Sequence, residues 1–265
     1  MRLVSLVYVF DLDGVLFRGQ TVIPEAPPAL ERLRAAGKSL FFLTNNSTQP
    51  RSAYVEKLAA MGMPCAEDEI VTSASATADY LARVRGAAGK TVFAVGGQGI
   101  RDELERVGIS VRTVEDDPKF DAECEFLVAG LDKNFRYETL HRAQQILLRG
   151  TEFLATNRDS QYPVEGGVIP GGGSIVAAIA AAANREPQTI GKPETLGLET
   201  ILGRAGVWPN EAVMVGDRLD TDSLCGNLLG VPTVLVLTGV STREEAENAE
   251  GDLRPGRTIE TLAEL

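Results

Sequence analysis

The chain has 265 residues, of which 44% are apolar, so it can form one large or two moderate domains with a substantial core. Its 26 basic and 37 acidic residues give a formal net charge of −11, which argues against nucleic acid and anionic membrane as partners. The three cysteines show no metal-ligand spacing, and neither a leader nor an apolar span of about 18 residues is evident, so we expect a cytoplasmic protein with reduced thiols.

The first predicted element is a buried strand over residues 7–10, which ends directly in Asp11-Leu12-Asp13-Gly14. Side chains two apart on extended backbone point the same way, so Asp11 and Asp13 can face one small volume at the end of the strand. Open α/β sheets bind their ligands at that end. Two carboxylates so close indicate either a bound cation or one protonated carboxyl group. Taken alone, the pair is also compatible with a turn that carries solvated aspartates.

A helix over residues 27–36 and a strand over 38–43 complete a βαβ unit. Thr44, Asn45 and Asn46 follow this strand, ahead of a helix over 51–61. Their polar groups and the free amides of that junction would bind a phosphate. The alternative is that the polar side chains only cap the helix.

A second α/β series follows a third helix, which is predicted over residues 74–84. Its strands are predicted over residues 91–95, 125–129 and 152–155, its helices over 101–107, 137–149 and 174–184, and a loop over 156–173. This series is long enough to be a domain of its own. We therefore predict an inserted α/β cap domain over residues 80–185, between two core segments, 1–79 and 186–265.

The strand-then-polar pattern resumes after this insertion. A short strand that begins at Gln188 ends in Lys192, and a strand over 212–215 leads to Asp217 and Asp222. A last strand over 234–237 and a closing helix over 259–265 complete the chain. Because the polar groups follow strands, we expect them all to meet at one edge of one sheet.

This set of side chains suits phosphoryl transfer. A carboxylate can attack phosphorus and hold it as an aspartyl-phosphate, which divides a difficult hydrolysis into two steps. Asp11 is the candidate nucleophile. A second carboxyl group must protonate the leaving oxygen and then deprotonate the attacking water, and Asp13 fits that role.

An anion that attacks another anion needs neutralising charge, and Mg²⁺ suits a site built from carboxylates. Asp217 would complete the metal shell. Lys192 supplies a compact positive charge, while Thr44 and nearby amides supply neutral donors. Asp222 is predicted to orient a water molecule or Lys192, and Asp220 to be a solvated or capping residue.

The four polar motifs resemble those of haloacid dehalogenase-like phosphatases, and they read DLDGV at 11–15, TNN at 44–46, GKP at 191–193 and GDRLDTD at 216–222. The cap between the second and third motifs, with VGGQGIRDEL at 95–104, ATNRD at 155–159 and PTVLVLTGV at 232–240, is similar to the subgroup of NagD, 4-nitrophenylphosphatases and phosphoglycolate phosphatases. The resemblance implies a doubly wound, mostly parallel α/β core of the Rossmann type.

The resemblance also implies roles for single residues. Asp11 is the nucleophile and Asp13 the acid and base, and Mg²⁺ is held by the Asp11 side chain, the Asp13 carbonyl and Asp217. Thr44 and Lys192 bind the phosphoryl group. A homodimer formed through the cap is compatible with the resemblance.

The sequence departs from the subgroup in two places. Arg158 stands where relatives commonly have proline, and residues 170–173 read PGGG in place of a PGAG-like segment. Arg158 either contacts substrate or is an exposed charge. Both departures lie in the predicted cap, so they bear on substrate identity.

The predicted function is a Mg²⁺-dependent phosphatase of small phosphomonoesters, such as phosphoglycolate, glycerol phosphate, 4-nitrophenyl phosphate, and nucleotide or sugar phosphates. Two alternatives stay open, a phosphometabolite-binding protein with little turnover and a phosphomutase. Release of free phosphate rather than an isomer would separate the phosphatase from the mutase.

Overall fold

Two β-sheets, each with its own apolar core, organise the chain. The structure is a computed structural model that describes residues 6–164 and 167–265. The helices are α1 (Ala26–Ala35), α2 (Arg51–Ala60), α3 (Ser73–Arg83), α4 (Gln98–Arg106), α5 (Tyr137–Leu148), α6 (Gly172–Ala183), α7 (Leu196–Ala205), α8 (Leu224–Leu229) and α9 (Arg243–Asn248). No helix in the described residues is long and apolar enough to cross a bilayer.

The strands are short, as is usual in α/β folds. They are β1 (Val7–Phe10), β2 (Phe17–Arg18), β3 (Thr21–Val22), β4 (Ser39–Thr44), β5 (Ile70–Thr72), β6 (Thr91–Val95), β7 (Ser110–Arg112), β8 (Cys124–Ala129), β9 (Glu152–Ala155), β10 (Gln161–Val164), β11 (Gly167–Pro170), β12 (Gln188–Thr189), β13 (Ala212–Gly216), β14 (Thr233–Val236) and β15 (Arg257–Ile259). The mostly parallel pairing of these strands confirms the predicted α/β class.

The residues group into two compact units. The second unit contains Asn45–Arg51 and Thr72–Gly191, and the first contains the chain up to Thr44, Ser52–Val71 and Lys192–Leu265. The inserted stretch therefore starts and ends several residues outside the predicted limits of 80 and 185. The second unit also takes in Asn45–Arg51, which lies within the predicted core segment 1–79.

In the first unit, the described strands are ordered β15-β14-β13-β1-β4-β5 in one sheet. β1 runs parallel to β13 and β4, and Phe10 is in register with both Val215 and Phe42. The strands are apolar and largely buried on both faces, which is typical of a parallel sheet covered by helices. This register brings the residues that follow β1 and β13 to the same edge of the sheet.

Helix α1 shows how the sequence encodes one of the covering helices. Two prolines lie in its first turn, where the missing N–H groups would be unpaired in any case. Ala26, Ala29, Leu30 and Leu33 are buried, and their spacing of three and four residues places them on one face. The helix therefore packs this face into the core of the first unit.

In the second unit, the described strands of the larger sheet are ordered β12-β9-β8-β6-β7, with parallel pairing throughout. This order corrects one prediction. The strand ahead of Lys192 was expected to belong to the core sheet, but β12 pairs with Leu154 and Ala155 of β9. β12 has two residues and carries no apolar pattern, so its pairing depends on the tertiary structure.

Two further predictions differ from the structure. The prediction of a closing helix over residues 259–265 is wrong. Ile259 ends the short strand β15, which pairs with β14, and Leu262–Glu264 forms only a 3₁₀ turn. Ile259 and Leu262 are both buried. Their spacing of three residues is typical of a helix, but one lies in a strand and the other in a turn. The predicted loop over 156–173 contains an antiparallel hairpin, in which Tyr162 faces Ile169.

The three cysteines, Cys65, Cys124 and Cys225, are free thiols. Burial raises the pKa of Cys65 and of Cys124 to about 11, and that of Cys225 to about 12. The thiols are therefore protonated at neutral pH and unreactive as nucleophiles.

A buried ion pair in the second unit carries a stability prediction. Arg142 donates to both carboxylate oxygens of Asp121 and to the carbonyl oxygens of Val114 and Asp116. Arg142→Met would leave the buried Asp121 unpaired, so we expect the free energy of unfolding to fall by about 3–5 kcal/mol in urea denaturation.

The matched control is the exposed Arg136, which pairs with Glu115 and Glu138. Arg136→Met should leave the urea midpoint unchanged, because exposed pairs add little. The double variant Arg142→Met/Asp121→Leu should recover much of the loss, since no buried charge remains. An unchanged midpoint in Arg142→Met would contradict this account of the pair.

Candidate active site

Three carboxylates meet at the carboxyl edge of the first sheet. Asp11 follows β1, and its main-chain N–H donates to the carbonyl oxygen of Val215 on β13 at 2.8 Å. One carboxylate oxygen from each of Asp11, Asp217 and Asp222 lies within 4.8 Å of the others. All three residues are buried. The strand ends thus concentrate negative charge in one small, largely dry volume.

Lys192 lies in contact with this carboxylate cluster. Its Nζ donates to Asp11 Oδ1 at 2.5 Å, to Asp222 Oδ1 at 2.6 Å and to the carbonyl oxygen of Leu43 at 3.0 Å. Burial alone would lower the pKa of Lys192, but the two carboxylates raise it above its usual value. The side chain is therefore a fixed cation at neutral pH.

Both carboxylate oxygens of Asp222 accept hydrogen bonds. Its Oδ1 accepts from Lys192, and its Oδ2 accepts from the main-chain N–H groups of Asp217 and Arg218, at 3.1 Å each. A Cβ added at Gly216 would overlap Asp222, so the strand end can approach this close only as glycine. This is the arrangement that the predicted orienting role requires, and the role itself stays a prediction.

Asp217 is fixed through one carboxylate oxygen. Its Oδ2 accepts from the main-chain N–H of Val240 at 2.8 Å. Burial, followed by repulsion from Asp222, raises the pKa of Asp217 to about 7. The surrounding groups therefore stabilise the charged form of Asp217 only in part.

Asp13 lies outside the cluster of three carboxylates but close in sequence to Asp11. Burial raises the pKa of Asp13, and the nearby ammonium of Lys57 opposes this only in part. Lys57 is itself placed 3.5 Å above the centre of the Phe17 ring. A raised pKa lets a carboxyl group keep its proton closer to neutral pH, as a general acid must.

The second predicted motif is divided between the two units. Thr44 ends β4 and is buried in the first unit, whereas Asn45 and Asn46 belong to the second. Asn45 Nδ2 donates to Asp159 Oδ2 at 3.1 Å, and Asn46 Nδ2 donates to the Tyr162 hydroxyl at 2.9 Å. Of the predicted site residues, the structure thus brings Asp11, Lys192, Asp217 and Asp222 into one cluster.

Several residues of this region were not predicted. Asp159 and Tyr162 contact the two asparagines, and Thr238 and Val240 bond to the loops that carry the aspartates. For Thr238 and Val240, the available signal in the sequence was Thr238-Gly239, which directly follows the last predicted strand. Arg158 pairs with Glu186 and donates to Thr189 Oγ1 at 3.2 Å.

The donor set fits a hard divalent cation. When ionised, the three buried carboxylates carry three negative charges and face the single positive charge of Lys192. Oxygen donors of this kind are the ligands that Mg²⁺ prefers. A cation at this place would lower the raised pKa values of Asp11 and Asp217 by stabilising their charged forms.

Comparisons with known proteins found similar sequences and similar structures. A family model described as haloacid dehalogenase-like hydrolase matches residues 8–110, and one described as HAD-hydrolase-like matches residues 189–265. The chain is 38% identical over 280 residues to the glycerol-3-phosphate phosphatase of Gallus gallus, across 97% of this chain and 89% of that protein.

Solved structures are similar along nearly the whole chain. The p-nitrophenyl phosphatase from Archaeoglobus fulgidus has a TM-score of 0.88 and 34% identity, covering 98% of this chain and 97% of that one. The glycerol phosphate phosphatase Rv1692 from Mycobacterium tuberculosis in complex with magnesium has a TM-score of 0.89 and 30% identity, covering 98% and 75%.

Proposed function

Because this chain belongs to the haloacid dehalogenase-like hydrolases, in the subgroup of NagD and the 4-nitrophenylphosphatases, we propose that it is a Mg²⁺-dependent phosphatase that works through an aspartyl-phosphate on Asp11. It is a phosphomonoester hydrolase, like the phosphatases that it resembles over nearly its full length. The observation that carries the mechanism is the buried ammonium of Lys192, in contact with Asp11 beside two further carboxylates.

In the first step, a carboxylate oxygen of Asp11 attacks phosphorus, and the bond to the leaving oxygen breaks. Lys192 stabilises the charge of the nucleophile and of the phosphoryl oxygens, because it is held within 2.5 Å of Asp11 Oδ1 in a dry site. Thr44, Asn45 and Asn46 would supply neutral donors to the phosphoryl group. Asp13 gives its proton to the leaving oxygen, which departs as an alcohol.

In the second step, Asp13 takes a proton from water, which attacks the phosphoryl group on Asp11 and releases inorganic phosphate. Asp222 holds Lys192 in place through both steps. Mg²⁺, bound by the Asp11 side chain, the Asp13 carbonyl and Asp217, would neutralise the phosphoryl oxygens. The fit of the donor set to a hard cation supports this assignment.

The same proposal covers partners and location. A small-molecule phosphomonoester is the expected partner, and nucleic acid and membranes are not, which the net charge of −11 supports. The free thiols support a reducing compartment such as the cytoplasm. A homodimer through an inserted domain over residues 80–185 stays a prediction.

The test is phosphate release from a panel with and without Mg²⁺. The panel contains 4-nitrophenyl phosphate, glycerol 3-phosphate, phosphoglycolate, a nucleoside monophosphate and a sugar phosphate. We expect chelation of Mg²⁺ to lower kcat at least about 100-fold and added Mg²⁺ to restore it, since a metal supplies several kcal/mol of charge stabilisation.

The panel also separates the alternatives. Equal rates in the presence and absence of chelator would contradict the role of the metal. An isomer formed without free phosphate would indicate a phosphomutase. Tight binding of one panel member without turnover would indicate a binding protein.

A further inference from the structure

The loop from Thr238 to Ser241, called here the Thr238–Ser241 loop, lies at the same sheet edge as the carboxylate cluster. It follows β14, which runs parallel to β13, and Gly216 at the end of β13 is in register with Leu235. The loop carries no acidic or basic side chain. The proposed mechanism assigns it no part.

The loop forms two hydrogen bonds to Asp217 and a third to Leu219, two residues further along the chain. The Val240 N–H donates to Asp217 Oδ2 at 2.8 Å, and the Ser241 N–H donates to the Asp217 carbonyl oxygen at 3.0 Å. The Ser241 hydroxyl accepts from the Leu219 N–H at 3.1 Å. Both the carboxylate and the backbone of this segment are therefore fixed by one loop.

The same loop also holds the segment that carries Asp11 and Asp13. The Thr238 hydroxyl donates to the carbonyl oxygen of Gly14 at 2.7 Å. Arg18 donates through Nε and Nη2 to the Thr238 carbonyl oxygen, at 2.9 and 2.5 Å. The loop thus links the two chain segments from which the proposed metal ligands come.

Gly239 allows this close approach. A Cβ added at Gly239 would overlap the Asp217 carboxylate, and the same holds for a Cβ added at Gly14. The carboxylate therefore packs directly against two glycines, Gly14 from the segment that carries Asp11 and Asp13, and Gly239 from the loop. Any side chain at position 239 would have to displace Asp217.

We propose that the Thr238–Ser241 loop is a positioning element that holds Asp217 in the orientation needed for Mg²⁺, so that Thr238 and Gly239 set the affinity for the metal. A carboxylate that is already oriented loses less conformational freedom when it binds a cation. Loss of a hydrogen-bonding partner behind a metal ligand typically costs about 10–100-fold in affinity. The inference rests on the proposed function and goes beyond it, because the proposed mechanism gives this loop no role toward substrate or metal.

The test compares Mg²⁺ binding by the full-length wild type, Thr238→Val and Gly239→Ala, measured by isothermal titration calorimetry without substrate. Valine keeps the shape of threonine but removes the hydroxyl that donates to Gly14. We expect the Mg²⁺ dissociation constant to rise about 10-fold in Thr238→Val and at least as much in Gly239→Ala. Thr258→Val on β15, on the far side of β14 from β13, is the matched control and should bind Mg²⁺ like the wild type.

Activity and melting temperature separate positioning from a general structural role. In Thr238→Val, we expect kcat to recover to the wild-type value at saturating Mg²⁺, with an unchanged melting temperature. An unchanged Mg²⁺ dissociation constant in Thr238→Val would overturn the inference and leave the proposed phosphatase intact, even if Gly239→Ala fails to fold. A wild type that binds no Mg²⁺ would overturn both.

Discussion

Asp11→Asn should abolish turnover, with a fall in kcat of at least about 10⁴-fold for every panel substrate, because asparagine keeps the size of the side chain but cannot attack phosphorus as an anion. The wild type, quenched in acid during turnover, should gain the mass of one phosphoryl group on the peptide that contains Asp11. The variant should gain none. Steady-state phosphate release and mass spectrometry of the digested protein measure the two effects.

Asp220→Asn is the matched control. Asp220 is exposed and pairs with Arg218, and it takes no part in the proposed mechanism. Its variant should keep the wild-type kcat and still form the phosphorylated peptide. Wild-type turnover in Asp11→Asn would show that Asp11 is not the nucleophile. A phosphoryl group on another residue would identify that residue as the nucleophile.

Lys192→Met should combine a large loss of activity with a large loss of stability. Removal of the ammonium leaves Asp11 and Asp222 buried without their cation, which should lower the free energy of unfolding by about 3–5 kcal/mol. It also removes the charge that stabilises the phosphoryl oxygens, so kcat should fall by about 10²–10³-fold or more. Urea denaturation and phosphate release give the two values.

Mg²⁺ should restore part of the stability lost in Lys192→Met, because a cation bound only by the folded state stabilises it. It should not restore kcat, since the metal cannot replace a hydrogen-bonding ammonium at Asp11 Oδ1. Lys119→Met, at an exposed position, is the control and should match the wild type in both measurements. Wild-type stability in Lys192→Met would mean that the buried carboxylates are neutral without the lysine.

The carboxylate cluster was predictable because parallel strands end together. Phe10 and Val215 are in register, so the residues that follow them must meet, and the sequence already shows a polar group after each apolar run. The strand before Lys192 was placed in the wrong sheet, since Gln188 and Thr189 carry no apolar alternation that would select a partner strand.

The partners of the asparagines could not be predicted in the same way. Asn45 bonds to Asp159 and Asn46 to Tyr162, at separations of 114 and 116 residues, and no local pattern encodes such pairs. The contact of the Thr238–Ser241 loop with Asp217 could not be predicted for a different reason. Its contact with the Asp217 carboxylate comes from a main-chain N–H, and every residue except proline has one.

The second unit is built from two separate stretches of chain, and this limits how the protein can be recombined with a relative. Arg51 forms an ion pair with the buried Glu103, and Asn157 Nδ2 donates to the Asn45 carbonyl oxygen at 2.7 Å. A chimera that exchanged only Thr72–Gly191 would surround Asn45–Arg51 with foreign side chains. A graft that preserves these bonds must carry the donor's own version of that short stretch, which begins one residue after Thr44.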